Sequence, residues 1–291
     1  MRESLYTLGG FKLAYTFACI LPRACGQWLG ATIARASYVR DPGVQRTLRA
    51  NLQLATACNG ADFDALCLEN VNNFGRMLAD YFLCAGMDAG ERSEALVESW
   101  GGFEHLAAAR ERGRGTIIVT GHVGHWELGG ITLAQRGLPL TVVTLKEPST
   151  ALTRWREACR RHLGIKTITV GPEYPFAFVE MIQTLRRNEL LAMLVDRPYA
   201  GTGTPVNFFG HAAEFSTAPA LLAQHTSASI VPAFVLRTAS GLYESSAGPD
   251  VPMLAGAEKN AALVENTQRI ATVFEAIIRQ HPEQWFNYAP V

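Results

Sequence analysis

Thr116-Ile117-Ile118-Val119-Thr120-Gly121-His122-Val123-Gly124-His125-Trp126-Glu127-Leu128-Gly129-Gly130 is the stretch whose reading decides the fold. Its first five residues are a β-branched run of strand length, with no turn former among them. Gly121 and Gly124 follow and permit tight backbone geometry. From Trp126 to Gln135 the spacing is helical, and Gly137 ends it. A strand, a glycine-bearing turn and a helix are thus written in twenty residues.

The same alternation continues downstream. Leu140 to Leu145 reads as a second strand, and Ser149 opens a helix through about His162, closed by Gly164. Lys166 to Val170 is a third strand, Tyr174 to Arg187 is helical, and Leu190 to Val195 is a fourth strand without a polar residue. Ser216 to Gln224 reads as helix, Ser229 to Leu236 as a fifth strand, and Lys259 to Arg279 as a long closing helix. Apolar strands alternating with helices of about a dozen residues imply an α/β fold, with a mainly parallel central sheet flanked by helices. Upstream, residues 1–100 read as a helical N-terminal region, placed facing a membrane, and residues 101–291 as the α/β domain, the two expected to form one continuous structural unit.

Composition narrows the function. The chain has 291 residues, 48% hydrophobic and only 18% charged, which implies a less polar surface than that of a freely soluble enzyme. Lys plus Arg balance Asp plus Glu at 26 each, and no nucleic-acid recognition motif is present, so nucleic acid is not an expected partner. The six cysteines form no CxxC pair and read as buried, reduced thiols on the cytosolic side. No signal peptide is evident, and the most apolar early run, Phe11 to Leu21, is about half the ~20 residues that span a bilayer. That run reads either as an interfacial segment, with Lys12, Arg23, Arg35 and Arg40 toward lipid phosphates, or as a helix docked on the sheet. No Gly-x-Ser-x-Gly elbow and no Gly-x-Gly-x-x-Gly after a strand is present, which disfavours an α/β serine hydrolase and a dinucleotide site.

In open α/β sheets, sites form beyond the carboxyl ends of strands. His122 stands at such an end, and Glu127 in the first turn of the next helix. A neutral imidazole takes a proton from a hydroxyl as it attacks an acyl carbon, and a carboxylate on the other ring nitrogen fixes the tautomer. His122 is therefore the candidate base and Glu127 its candidate orienting partner. Beside this stands the plainer reading, a capping histidine and a glutamate at a helix N-terminus. A metal reading uses His122, His125 and Glu127 as ligands of a hydrolase, but the set matches no compact zinc signature and no metal is expected. His125 reads as a residue lining or supporting the pocket. Arg154, Arg156, Arg160, Arg161, His162 and Lys166 form the densest basic cluster, suited to an acidic carrier, a coenzyme phosphate or an anionic head group. Asp196 and Arg197 leave an apolar strand at the same sheet end, either to bind the acceptor and support an oxyanion or to pair with each other. Phe208 and Phe209 line an acyl tunnel or belong to the core.

The stretch from Gly121 to Gly129 resembles the His-x4-Asp/Glu motif of the lysophospholipid acyltransferase superfamily. It is most similar to the branch of the lipid A lauroyl/myristoyl acyltransferases and the phosphatidylinositol mannoside acyltransferases. Further segments resemble that branch in order: Arg160 to Gly164, Asp196-Arg197, Pro205 to Gly210, Thr217 to Ala223, Val231-Pro232, and His281 to Trp285. The likeness covers about residues 20–288. It implies a glycerolipid-acyltransferase-like fold without a resident cofactor. It also implies one-step transfer of a fatty acyl chain from acyl-ACP or acyl-CoA to a hydroxyl or amine of a lipid or glycolipid. His122 is then the base, Glu127 its orienter, and Arg160 a substrate-binding residue, with Asp196, Arg197, His125 and Phe209 beside it. The expected partners are an acyl carrier protein or coenzyme A thioester, the lipid acceptor and a membrane surface. The expected place is the cytoplasmic face of the inner (plasma) membrane, peripheral or monotopic. A non-catalytic lipid-binding protein of the same fold is the remaining alternative.

Overall fold

A computed structural model of the chain describes residues 7–85, 91–199, 201–254 and 259–291. The N-terminal part holds α1 (Leu8–Ile20), α2 (Arg23–Arg40), α3 (Pro42–Ala55), α4 (Gly60–Ala85) and the short α5 (Glu91–Glu94). Then follow β1 (Val97–Gly101), α6 (Phe103–Glu111), β2 (Thr116–Thr120), α7 (Trp126–Gln135), β3 (Leu140–Leu145), α8 (Thr150–His162), β4 (Lys166–Val170) and α9 (Ala177–Arg186). The chain continues with β5 (Leu190–Leu194), β6 (Gly203–Phe208), β7 (His211–Ser216), α10 (Ala218–Thr226), β8 (Ser229–Arg237), β9 (Tyr243–Ala247) and α11 (Lys259–Gln280).

Seven strands make one sheet in the order β1-β9-β8-β2-β5-β3-β4, and β6 and β7 form a separate antiparallel hairpin. All neighbours in the large sheet run parallel except β8 and β9. The mainly parallel α/β architecture is therefore as the sequence implied. β2 is buried at all five positions, as a central strand covered on both faces must be. On one face, Ile118, Leu140, Leu190 and Val235 pack with α6 and α7. On the other, Ile117, Val119, Leu191, Met193 and Phe234 pack with α9, α10 and α11.

Five elements differ from the sequence reading. The region 1–100 is not wholly helical, because β1 lies at the sheet edge; residues 86–90 of it lie outside the described residues. The helix α6, the hairpin β6–β7 and the strand β9 are additional to the elements the sequence pattern implies. β9, Tyr-Glu-Ser-Ser-Ala, has no β-branched residue, and only its pairing with β1 and β8 makes it a strand. The cysteines also differ from expectation: all six are free, but Cys19, Cys25 and Cys58 are exposed.

The N-terminal helices are tied to the rest by buried polar groups. Asp80 of α4, 0% exposed, accepts from Arg23 at 2.9 Å, from Gln27 at 2.8 Å and from the hydroxyl of Tyr243 in β9 at 2.7 Å. Asn70 donates to the carbonyl of Trp285 at 2.8 Å, and Asn51 to that of Asn287 at 2.7 Å. Helices α2 and α4 meet glycine to glycine: a Cβ on Gly30 would lie 2.4 Å from the Gly75 carbonyl oxygen, so neither position admits a side chain. No helix among the described residues is long and apolar enough to cross a membrane.

Candidate active site

The turn after β2 is built by close backbone approach. Gly124 has φ +61°, and a Cβ there would lie 2.0 Å from the carbonyl oxygen of Val235. The N–H of Gly124 donates to the Gln284 carbonyl at 2.9 Å, and that of His125 to the Val235 carbonyl at 2.7 Å. The N–H of Phe286 donates to the His122 carbonyl at 2.6 Å. The C-terminal Gln284–Asn287 segment thus braces the turn, a role no reading of the sequence had singled out.

Strand pairing then sets the chemistry. β2 and β5 run parallel with Thr120 opposite Leu194, so the residues two further along, His122 and Asp196, stand level beyond the sheet. Nδ1 of His122 lies 2.8 Å from Oδ1 of Asp196, and the backbone N–H of His122 donates to Oδ2 at 3.0 Å. The Asp196 side chain is 1% exposed. Burial pushes its carboxyl pKa up, but the facing His122 and Arg197 outweigh burial, and the pKa ends below the ordinary value. A carboxylate on Nδ1 keeps the proton on that nitrogen and leaves the lone pair on Nε2. Nε2 has no partner among the described residues, and the ring, 20% exposed, lines a large cavity.

Glu127 does something else. Its carboxylate accepts from Arg160 at 2.7 Å and from Arg156 at 2.8 Å, both on α8. Burial raises its pKa, the two arginines overcome that, and the net value falls to about 2. Arg156 also pairs with Glu147, so the two arginines and two glutamates balance in charge. The expected His122–Glu127 pairing is therefore not what the fold assembles. Residues five apart across this turn diverge, one held by β5 and the other by α8. Glu127, Arg156 and Arg160 all line the cavity. The remaining basic residues of the expected cluster part from them: Arg154 and Arg161 are exposed, and Lys166 pairs with Glu189.

The other candidates are placed as follows. His125 caps α7, its Nδ1 accepting from the Leu128 N–H at 3.2 Å, and its ring packs on Tyr243 at 5.2 Å between centroids. It is 0% exposed, does not line the cavity, and burial pulls its pKa down to about 4. Arg197 does not pair with Asp196; it donates to the side chain of Asn287 at 2.7 Å and to the Phe286 carbonyl at 2.8 Å, and it lines the cavity. Phe209 is a core residue against Phe208 and Trp285, under the Arg279 guanidinium, and not a wall of the cavity. The trio His122, His125 and Glu127 is not gathered into a ligand set: among the described residues no three His, Cys, Asp or Glu side chains are placed to hold a metal ion. Arg23, expected toward lipid, is turned to Asp80.

The cavity is about 1370 Å³ and mostly apolar, running from the N-terminal helices to the sheet. Across residues 10–288 the sequence matches the model of the bacterial lipid A biosynthesis acyltransferases. The chain belongs to that family. This acyltransferase is also 27% identical to a phosphatidylinositol mannoside acyltransferase of Mycolicibacterium smegmatis, over 97% of this chain and 90% of the relative. It is 28% identical to a protein of the same name from Mycobacterium tuberculosis, over 88% of this chain and 79% of that one. A large, mostly apolar cavity with a few polar groups is the kind of site a lipid acceptor needs.

Proposed function

We propose that the enzyme moves a fatty acyl chain from acyl-CoA or acyl-ACP to a hydroxyl of a phospholipid- or glycolipid-type acceptor, with His122 as general base and Asp196 as the residue that positions it. The observation that carries this is the His122–Asp196 contact of 2.8 Å at the wall of the apolar cavity. Nε2 takes the proton of the acceptor hydroxyl as its oxygen attacks the thioester carbonyl. The C–O bond forms and the carbonyl electron pair moves onto oxygen. Collapse breaks the C–S bond, and the proton held on Nε2 passes to the departing thiolate. Thioester and alcohol become ester and thiol with no acyl-enzyme. The first-turn amides of α7, Trp126 and Glu127, follow His122 by four and five residues and lack intrahelical acceptors, which suits them to the oxyanion. Glu127 here acts by holding Arg156 and Arg160 in the wall, and Arg160 and Arg197 meet the anionic parts of the substrates.

The acceptor's chemistry asks for a membrane surface. Exposed Leu13, Phe17, Ile20, Trp28, Ile33 and Val39 on α1 and α2, with exposed Lys12, Arg35 and Arg40, suit a peripheral or monotopic seat on the cytoplasmic face of the inner membrane. The test of the reaction is purified protein with acyl-CoA or acyl-ACP and a lipid extract containing phosphoinositide mannosides. Thiol should be released only with acceptor, and His122→Ala should abolish release with the fold intact. Unchanged turnover in that variant sinks the assignment of the base.

A further inference from the structure

The sheet is split next to the active site. β3 pairs with β5 only from Leu140 opposite Leu190 to Val142 opposite Ala192. Beyond that point β3 stays with β4 as far as Leu145 opposite Val170, and β5 stays with β2 as far as Thr120 opposite Leu194. The two strands part at their carboxyl ends. Successive side chains on a strand point to opposite faces. Yet the consecutive residues Val142, Val143 and Thr144 of β3, and Ala192, Met193 and Leu194 of β5, all line the cavity. The cavity therefore reaches both faces of the sheet at the carboxyl ends of these strands, where they part.

The cavity accordingly has two arms. One lies under α6 and α7, among Phe103, Leu106, Ile118, Leu133, Leu140 and Ala233. The other lies under α9 and α10 on the opposite face, among Val170, Phe178, Met181, Met193, Ala218 and Leu221. Each of those twelve side chains is apolar. The whole, about 1370 Å³, exceeds the ~300–1,000 Å³ usual for one small-ligand site. Polar groups, among them His122, Glu127, Arg156, Arg160, Arg197 and Thr217, also line it and break its apolar wall.

We propose that the arm under α9 and α10 is a second hydrocarbon-chain site, filled at the same time as the arm under α6 and α7. The first arm takes the chain being transferred, and the second takes a chain of the acceptor lipid. This rests on the acyl-transfer reading only for the identity of the two chains. The acceptor is then selected by its own hydrocarbon, and a deacylated acceptor binds poorly.

Delipidated protein titrated with palmitate and weighed by native mass spectrometry tests this without turnover. The expected stoichiometry is two palmitates. Leu221→Trp, at a half-buried position under the second arm, should leave one, as should Ala218→Leu; the second variant serves if the first fails to fold. Ala233→Phe, in the first arm, should also leave one, and Ala233→Phe with Ala218→Leu none. The site lost in each single variant should weaken at least tenfold. A wild-type stoichiometry of one overturns the proposal, whether Leu221→Trp leaves that palmitate in place or weakens it together with Ala233→Phe, as a single chain threaded through the gap requires. Thiol release from acyl-CoA, measured separately, judges the acyl-transfer reading by itself.

Discussion

Replacing Asp196 by Asn separates the two carboxylates that compete for the role of orienting His122. The aspartate holds the residue twice, through Nδ1 at 2.8 Å and through the backbone N–H at 3.0 Å. Asn has one oxygen. If that oxygen keeps the backbone N–H, its amide hydrogens point at Nδ1 and force the ring proton onto Nε2, where the base must be vacant. If it keeps Nδ1–H, the backbone donor faces an NH₂ group. Either way the variant loses a charge-assisted hydrogen bond, worth ~1.5–3 kcal/mol net, or roughly a 10- to 150-fold fall at 1.36 kcal/mol per decade. Loss of the correct tautomer adds to this, and general-base catalysis is itself worth ~10²–10⁴. The expectation is therefore a fall of about 10²–10³ in kcat with KM little changed, read by thiol release at saturating acyl-CoA and lipid. Glu127→Gln should differ in kind. It leaves two largely buried guanidiniums short of charge, and breaking such a pair costs ~3–5 kcal/mol of stability. It should lower the melting temperature and raise KM, with kcat far less affected than in Asp196→Asn. The reasoning is refuted if Asp196→Asn keeps kcat within threefold of wild type, or if Glu127→Gln alone collapses kcat while melting and KM stay unchanged.

Stability should fall on acidification in two successive, slightly overlapping windows. His125 is held neutral by burial with its pKa down from 6.5 to about 4, so above pH 6.5 both states carry a neutral ring and nothing changes. As pH falls from 6.5 to about 4, the unfolded chain takes up a proton that the folded chain refuses, and stability drops by about 3 kcal/mol at 1.36 kcal/mol per unit. Glu127 adds a lower window: its contribution is complete above 4.5 and is lost as pH falls toward its folded value of about 2. Urea titrations from pH 8 to 4 on wild type and on His125→Asn, which keeps an N-cap acceptor, check the upper window; a slope of equal size in the variant refutes the assignment. Binding to anionic vesicles should need α1 and α2: Ile20→Ser with Trp28→Ser should cut the pelleted fraction at least tenfold in lipid affinity, since each such side chain is worth ~1.5–3 kcal/mol on leaving water. Unaltered pelleting places the contact elsewhere.

The sequence by itself determined what local pattern can carry. Central strands β2, β5 and β8 are largely apolar runs covered on both faces, and β3 and the edge strand β4 are β-branched, so composition announces them, as does the alternation with helices that makes the sheet mainly parallel. The histidine beyond β2 was legible for the same reason, as a chemical group placed where such sheets build sites. What stayed hidden depends on neighbours remote in the chain. β9 is a strand because β8 and β1 flank it, and β6–β7 because two short segments, each burying alternate residues, pair across Phe209 and Gly210. Asp196 stands 74 residues from His122, and only the register of β2 against β5 sets them level. Spacing along the chain pointed to Glu127, because five residues are countable; α8 takes that carboxylate instead, because two arginines offer a buried charge more than one imidazole can. The parting of β3 from β5, beside which the cavity lies, is likewise a fact of strand pairing, and no residue type in either strand encodes it.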